Sequence, residues 1–314
     1  MRVASRIPFF RCPRQRFFSS AGRVSPALDD LRSYLGRTAG LRLEPGQACY
    51  AESRLAALMR APEASGLSRL LARLDPDGSG PLARELIDAL TCRETWFFRD
   101  RAPFEDFALR MAGVLATRRA AEKTLRIWSA GCASGQEIYS LAICLNALRP
   151  LFADWRVELL GTDICAAQVE RARQGAYSHV EIQRGLPVRA MLQYVEQLPE
   201  PASHPWRMRD CLRRTLRFQT HNLLGDCEAL GQFDVIFCRN VLSQLHLGAQ
   251  RAVLANLASQ LAEGGYLVLG KDEAPISLSG VFSAVSEGSC VFERRAFPLG
   301  KGARPSHLKL VVSR

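Results

Sequence analysis

No apolar run in this 314-residue chain approaches the ~18 residues that a membrane-crossing helix needs. The longest, such as Leu141–Leu145 and Tyr266–Gly270, are a handful of residues. The sequence therefore does not read as an integral membrane protein. Its ten cysteines include no Cys-x-x-Cys pair and no Cys/His cluster at zinc spacing, so no metal site is expected. Cys144 and Cys238 sit in apolar segments, where a reduced cysteine acts as a small hydrophobe. With no secretory signal at the start, the expected compartment is reducing and cytoplasmic. The Gly-x-Gly-x-x-Gly string is also missing, which argues against a dinucleotide.

Acidic residues are absent from both ends. Residues 1–24 hold six Arg and residues 294–314 six Arg or Lys. The net charge of +11 therefore lies in the termini, and residues 25–293 carry 11 − 12 = −1. A groove for a phosphate backbone would need its positive charge in the folded body, so nucleic acid is not the expected partner. Residues 1–24 combine Arg, Ser and Phe like a transit peptide, and read here as a basic disordered tail or an over-long start. Residues 298–314 read as a second basic tail. Hydrophobic content of 47% supports a sizeable core.

Helical spacing dominates residues 25–115. Leu28, Leu31, Tyr34 and Leu35 repeat at one face, as do Leu67, Leu70, Leu71 and Leu74. Asp75-Pro-Asp-Gly-Ser-Gly-Pro reads as a turn; the closing acid of a calcium loop is missing. From residue 120 to 297 short strands alternate with helices. The spacing predicts strands at 125–130, 156–163, 233–238, 266–269 and 290–294, and helices at 136–148, 165–174 and 249–261. That order specifies a doubly wound α/β sheet. Residues 178–220, with Pro199, Pro201 and Pro205, read as an inserted subdomain.

Strand 125–130 runs into Gly131-Cys132-Ala133-Ser134-Gly135 and a helix, which offers free N–H donors to a ligand. Asp163 ends the next strand, 28 residues after Gly135, where an acid accepts from ribose hydroxyls. Alone, this pair fits nicotinamide enzymes and adenosylmethionine enzymes alike.

Four strings sharpen the reading. They are Leu90-Thr-Cys-Arg-Glu-Thr-Trp-Phe-Phe-Arg-Asp100, Trp128-Ser-Ala-Gly-Cys-Ala-Ser-Gly-Gln-Glu-Ile-Tyr-Ser-Leu-Ala142, Glu181-Ile-Gln-Arg-Gly-Leu-Pro187 and Phe233-Asp-Val-Ile-Phe-Cys-Arg-Asn-Val-Leu242. In this order they resemble the chemotaxis receptor methyltransferases, the CheR type of protein-glutamate O-methyltransferase. The resemblance covers roughly residues 27–295. It implies a small all-helical domain followed by a Rossmann-like adenosylmethionine-dependent methyltransferase sheet with an inserted small β-subdomain. It implies S-adenosyl-L-methionine as cofactor, S-adenosyl-L-homocysteine as product and chemotaxis receptor helices as partner, acted on by a monomer. The cofactor-binding positions it implies are Thr95, Arg99, Glu137, Asp163, Asn222 with Leu223, and Asn240 with Val241; Gly131 and Gly135 of the glycine turn, and Arg93, are expected at the cofactor with them. Arg99 is the expected catalytic group, placing a carboxylate. Arg54 and Arg60, on the helical domain, are the expected substrate-binding residues.

The chain departs from the family pattern at several points. Arg93 stands where the family has Asn, and Gln244 where it has the Tyr near the transferred methyl. Gly270-Lys-Asp-Glu273 replaces a Gly-His-Ser-Glu type stretch. Two alternatives follow: a methyltransferase of this fold on another substrate, or a cofactor-binding regulatory module with weak or no turnover.

Overall fold

The computed structural model describes residues 26–60, 66–91, 94–199, 203–275 and 280–295. Both basic ends expected as tails lie outside the described residues, and so does Arg93.

Ten strands are described: β1 (Thr124–Ala130), β2 (Arg156–Asp163), β3 (Ala176–Tyr177), β4 (Val195–Gln197), β5 (Trp206–Met208), β6 (Leu216–Thr220), β7 (Phe233–Cys238), β8 (Leu261–Leu269), β9 (Phe282–Ala284) and β10 (Val291–Arg294). Seven form one sheet in the order β6-β2-β1-β7-β8-β10-β9. The first five of these run parallel, while β10 is antiparallel to both neighbours. Every residue of β7 is buried, as a parallel strand covered on both faces requires. The chain leaves β1 towards β2 on one side and β7 lies on the other, which makes the carboxyl end of β1 a topological switch point. On one face, Leu125 and Ile127 pack with Ile138, Leu141 and Phe237; on the other, Trp128 and Ile236 pack with Val253, Leu254 and Leu257.

The structure moves two boundaries of the sequence reading. Residues 216–220, read as part of the insert, are β6 and pair with β2 at the edge of the main sheet. The insert proper is the three-stranded sheet β3-β5-β4 with helices His179–Gln183 and Val188–Tyr194. Residues 102–115, read as part of the helical domain, pack through Phe104, Phe107, Met111 and Leu115 onto the sheet core. The separate helical core ends by Leu90, with Leu28, Leu31, Leu35, Leu55, Leu70 and Leu86 fully buried or nearly so. Periodicity reports that a segment is helical but not which core its face meets. Strand β8 also begins at Leu261, earlier than expected, with an irregular register between Phe233 and Val235 of β7. Strand β9 is not foreseen from sequence.

The helical unit is joined to the sheet by backbone. Leu41 bridges Leu245 in antiparallel fashion, Arg42 N donates to Gln244 O (2.8 Å), and His246 N donates to Gly40 O (3.0 Å). Gly40 has φ +67°, and a Cβ there would lie 2.6 Å from Ala249 Cβ. Gly40→Ala is therefore expected to cost ~1–3 kcal/mol in urea unfolding. Gly46, with nothing within 4 Å of its would-be Cβ, should tolerate Ala within ~0.5 kcal/mol.

Candidate functional site

The carboxyl ends of β1, β2 and β7 open onto a cavity of about 260 Å³. It lies at the switch point, where doubly wound sheets bind their ligands. Ala39 and Leu41 of the helical unit close one wall.

The floor is the turn after β1. Gly131 has φ +86°, and a Cβ there would come within 2.4 Å of Val241 Cγ2. The glycine thus admits the neighbouring loop as well as a ligand. Gly135 has φ +93° and precedes the helix Gln136–Ala147; its missing Cβ leaves room for Ala172 Cβ at 2.9 Å. Gly135 does not line the cavity, contrary to expectation, because its close approach serves helix packing.

Asp163 and Glu137 bring their carboxylates to the glycine-turn end of the cavity. Asp163 Oδ2 accepts from Ala133 N (2.8 Å) and Oδ1 from Cys165 N (2.9 Å), which ties the end of β2 to the glycine turn. Glu137 Oε1 accepts from Ser129 Oγ (2.8 Å) and Oε2 from Arg239 Nη1 (3.2 Å). The Arg239 side chain is only 2% exposed, and its Nη2 also donates to Asp100 Oδ2 (2.6 Å) and Arg99 O (3.0 Å). Cys132, in the glycine turn, has its thiol pKa pushed up by burial and then by the charges of Asp163 and Glu137.

The segment before the sheet brings Thr95, Trp96 and Arg99 to the cavity. The Arg99 guanidinium lies over the Trp96 ring at 4.4 Å, and its Nη1 donates to Glu94 O (2.7 Å). Arg99 Nε is buried without a hydrogen-bond partner among the described residues. On the opposite wall Asn222 Oδ1 accepts from Leu224 N (3.1 Å) while its Nδ2 donates to Thr38 O (3.0 Å) of the helical unit. His221 beside it is held towards the neutral form by burial. Asn240 adopts φ +60°, a conformation an Asn side chain tolerates. Glu273 sustains it: its carboxylate accepts from Asn240 N (2.8 Å), Ser243 N (2.9 Å) and Gly270 N (2.8 Å). Gln244, the position of the expected Tyr, donates from Nε2 to Asn240 O (2.9 Å).

Of the expected cofactor positions, Thr95, Arg99, Gly131, Glu137, Asp163, Asn222, Leu223, Asn240 and Val241 all line this cavity. Arg54 and Arg60 do not. Arg54 Nε caps Ala89 O (2.7 Å) and Arg60 Nε caps Ala56 O (3.2 Å), both on the exposed side of the helical unit. Sequence reasoning passed over Arg239 and Glu273. A charge directly after the all-buried β7 is a signal for the first, since such a charge needs partners. Nothing in the spacing marks the second. The site fits an adenosylmethionine: acidic acceptors at Asp163 and Glu137, apolar walls at Trp96, Ile164, Leu223 and Val241, and an arginine with an unpartnered buried Nε suited to a carboxylate.

Comparison with known proteins agrees. Residues 93–290 match the family model described as the CheR methyltransferase, SAM binding domain. Chemotaxis protein methyltransferase 1 of Pseudomonas aeruginosa is 34% identical over 250 residues, 77% of this chain and 88% of that protein. Chemotaxis protein methyltransferase Cher2 of Pseudomonas putida is 30% identical, covering 78% and 89%. Chemotaxis protein methyltransferase 1 of Vibrio cholerae is 32% identical, covering 82% and 92%.

Replacing Arg239 by Met removes the countercharge of Glu137, whose side chain is 13% exposed. We expect Arg239→Met to destabilise the protein by about 3 kcal/mol in urea unfolding. Arg239→Met with Glu137→Gln should recover part of that loss. A single variant as stable as the wild type would show that the pair is not an energetic unit.

Proposed function

The chain belongs to the CheR methyltransferase family, and on that premise we propose that it transfers the methyl group of S-adenosylmethionine to glutamate side-chain carboxylates of chemotaxis receptors. The products are glutamate methyl esters and S-adenosylhomocysteine. What carries the reading is the meeting, in one cavity at the switch point, of Thr95, Arg99, Glu137, Asp163, Asn222 and Asn240 from five separate stretches of chain.

Bound S-adenosylmethionine would supply a methyl group already activated by its sulfonium. A glutamate side chain has a pKa of about 4.3 and is ionised at neutral pH, so the acceptor needs no strong base. The protein's tasks are binding, alignment and the exclusion of water. Asp163 would accept from the ribose hydroxyls, held for that role by its two backbone donors. Glu137 would accept a donor further along the cavity, and Arg99 would place a carboxylate. Leu223 and Val241 would cover the apolar part of the cofactor. The helical unit would dock the receptor, with Arg54 and Arg60 facing its acidic helices.

One observation favours a second reading, a cofactor-binding regulatory module with weak turnover. Gln244, in place of the expected Tyr, is turned onto the Asn240 carbonyl, so it stabilises the loop instead of presenting a hydroxyl.

Transfer of tritiated methyl to receptor membranes, scored as base-labile label, separates the two readings. Label at carboxylates supports the enzyme; tight cofactor binding without label supports the module. In calorimetry Asp163→Ala is expected to weaken S-adenosylmethionine and S-adenosylhomocysteine alike, by the ~1–3 kcal/mol of a lost charged hydrogen bond, and unchanged affinity would overturn the assignment. Charge reversal at Arg54 and Arg60 together should raise KM for receptor several-fold and leave cofactor affinity alone. Unaltered receptor kinetics would remove this face from the docking surface.

A further inference from the structure

The string Glu181–Pro187, at the start of the insert, contributes no residue to the cavity. In the fold it presses on the segment that carries Thr95 and Arg99. Gly185 has φ +87°, and a Cβ there would overlap Phe97 O at 2.0 Å and meet Trp96 Cδ1 at 3.1 Å. Ile182 and Leu186 are buried in the same core as Phe97, which is fully enclosed and meets Tyr177 edge to face at 5.1 Å. The insert and the segment are thus packed backbone to backbone.

Arg184 makes the contact specific. Its guanidinium lies over the Trp96 ring at 4.0 Å, and its Nη2 pairs with Glu94 Oε1 at 2.7 Å. The same indole carries the Arg99 guanidinium at 4.4 Å, and the Glu94 carbonyl accepts from Arg99 Nη1. Both groups that orient Arg99 are therefore gripped by Arg184. Trp96 and Glu94 line the cavity beside Arg99. An exposed ion pair contributes little to stability, and Arg184 and Glu94 are 48% and 57% exposed. The pairing makes better sense as a geometric constraint. A planar guanidinium stacked on an indole fixes orientation in a way a lysine does not.

We propose that Arg184 is a positioning residue for the cavity, holding Arg99 through Trp96 and Glu94, so that the inserted subdomain sets the geometry of the site. This rests on the cofactor reading above, with Arg99 as a cofactor-facing group.

A double-mutant cycle in S-adenosylhomocysteine affinity, by calorimetry on the full chain, tests it without any acceptor. Arg184→Ala and Arg184→Gln should weaken binding about fivefold to tenfold. In an Arg99→Ala background the same changes should add nothing, because Arg184 acts through Arg99. Arg184→Lys should restore only part of the affinity, since it keeps the charge near Glu94 and loses the stack. Equal losses with and without Arg99, or no loss at Arg184→Ala, would overturn the proposal. A second readout needs no cofactor. Modification of Arg99 by phenylglyoxal, located by mass spectrometry, should run at least about threefold faster in Arg184→Ala, as expected for a locally released side chain; an unchanged rate overturns the proposal. Failure of receptor methylation with the cycle intact would count against the substrate assignment alone. A wild type that does not bind S-adenosylhomocysteine would sink the cofactor reading, and the phenylglyoxal rate would then decide for Arg184.

Discussion

The buried Arg239 guanidinium is where three separate stretches of chain are tied together. It directly follows β7, reaches Glu137 in the first turn of the helix after β1, and takes Asp100 and the Arg99 carbonyl from the segment before the sheet. A lone guanidinium at 2% exposure would lose several kcal/mol of hydration. Two acids must therefore come to it, and they come from stretches 102 and 139 residues away in the chain. Against an apolar replacement of the whole ion-paired group, the charges do little for net stability. What the guanidinium supplies is registration: the glycine turn, the Thr95–Arg99 segment and the Asn240 loop cannot slide past one another without stranding it.

Glu273 plays the same part for the far wall with backbone partners. Three amide donors converge on one carboxylate, from Asn240, Ser243 and Gly270. They hold Asn240 at a positive φ that costs energy in isolation. The expected Gly-His-Ser-Glu stretch is altered to Gly270-Lys-Asp-Glu273, yet the position that does this work keeps its acid. The departure at Gln244 falls on the same loop and adds a further bond within it. Loop shape is thus maintained by different chemistry from that expected.

Much of the fold is legible in the sequence because β1, β2 and β7 are apolar runs bounded by glycine, acid or arginine, and because their helices repeat at clear spacing. Strand β6 is harder. Leu216-Arg-Phe-Gln-Thr220 is an edge strand with one buried residue, and its alternation is no stronger than that of a loop. The helix ending at Arg118 is legible as a helix, but its allegiance to the sheet core depends on Phe104 and Phe107 meeting Phe237, a tertiary fact. At the site, the expected cofactor positions among the described residues do converge, apart from Gly135; Arg93 lies outside those residues. The groups that aim them escape notice: Arg239 and Glu273 act across 102 and 33 residues of chain, and no local period encodes such pairs.

The join between the helical unit and the sheet has a consequence for the order of assembly. His246 reaches Gly36 across 210 residues, and Asn222 reaches Thr38 across 184. Closing loops of that length is costly in entropy, and such contacts are rewarded only once both ends are already structured. The helical unit has its own core of leucines and can form early from local contacts. The sheet can do likewise around Phe237 and Trp128. The cavity wall at Ala39 and Leu41 exists only after the two meet. That wall of the binding site is completed only when the two units dock, and it is lost when they separate.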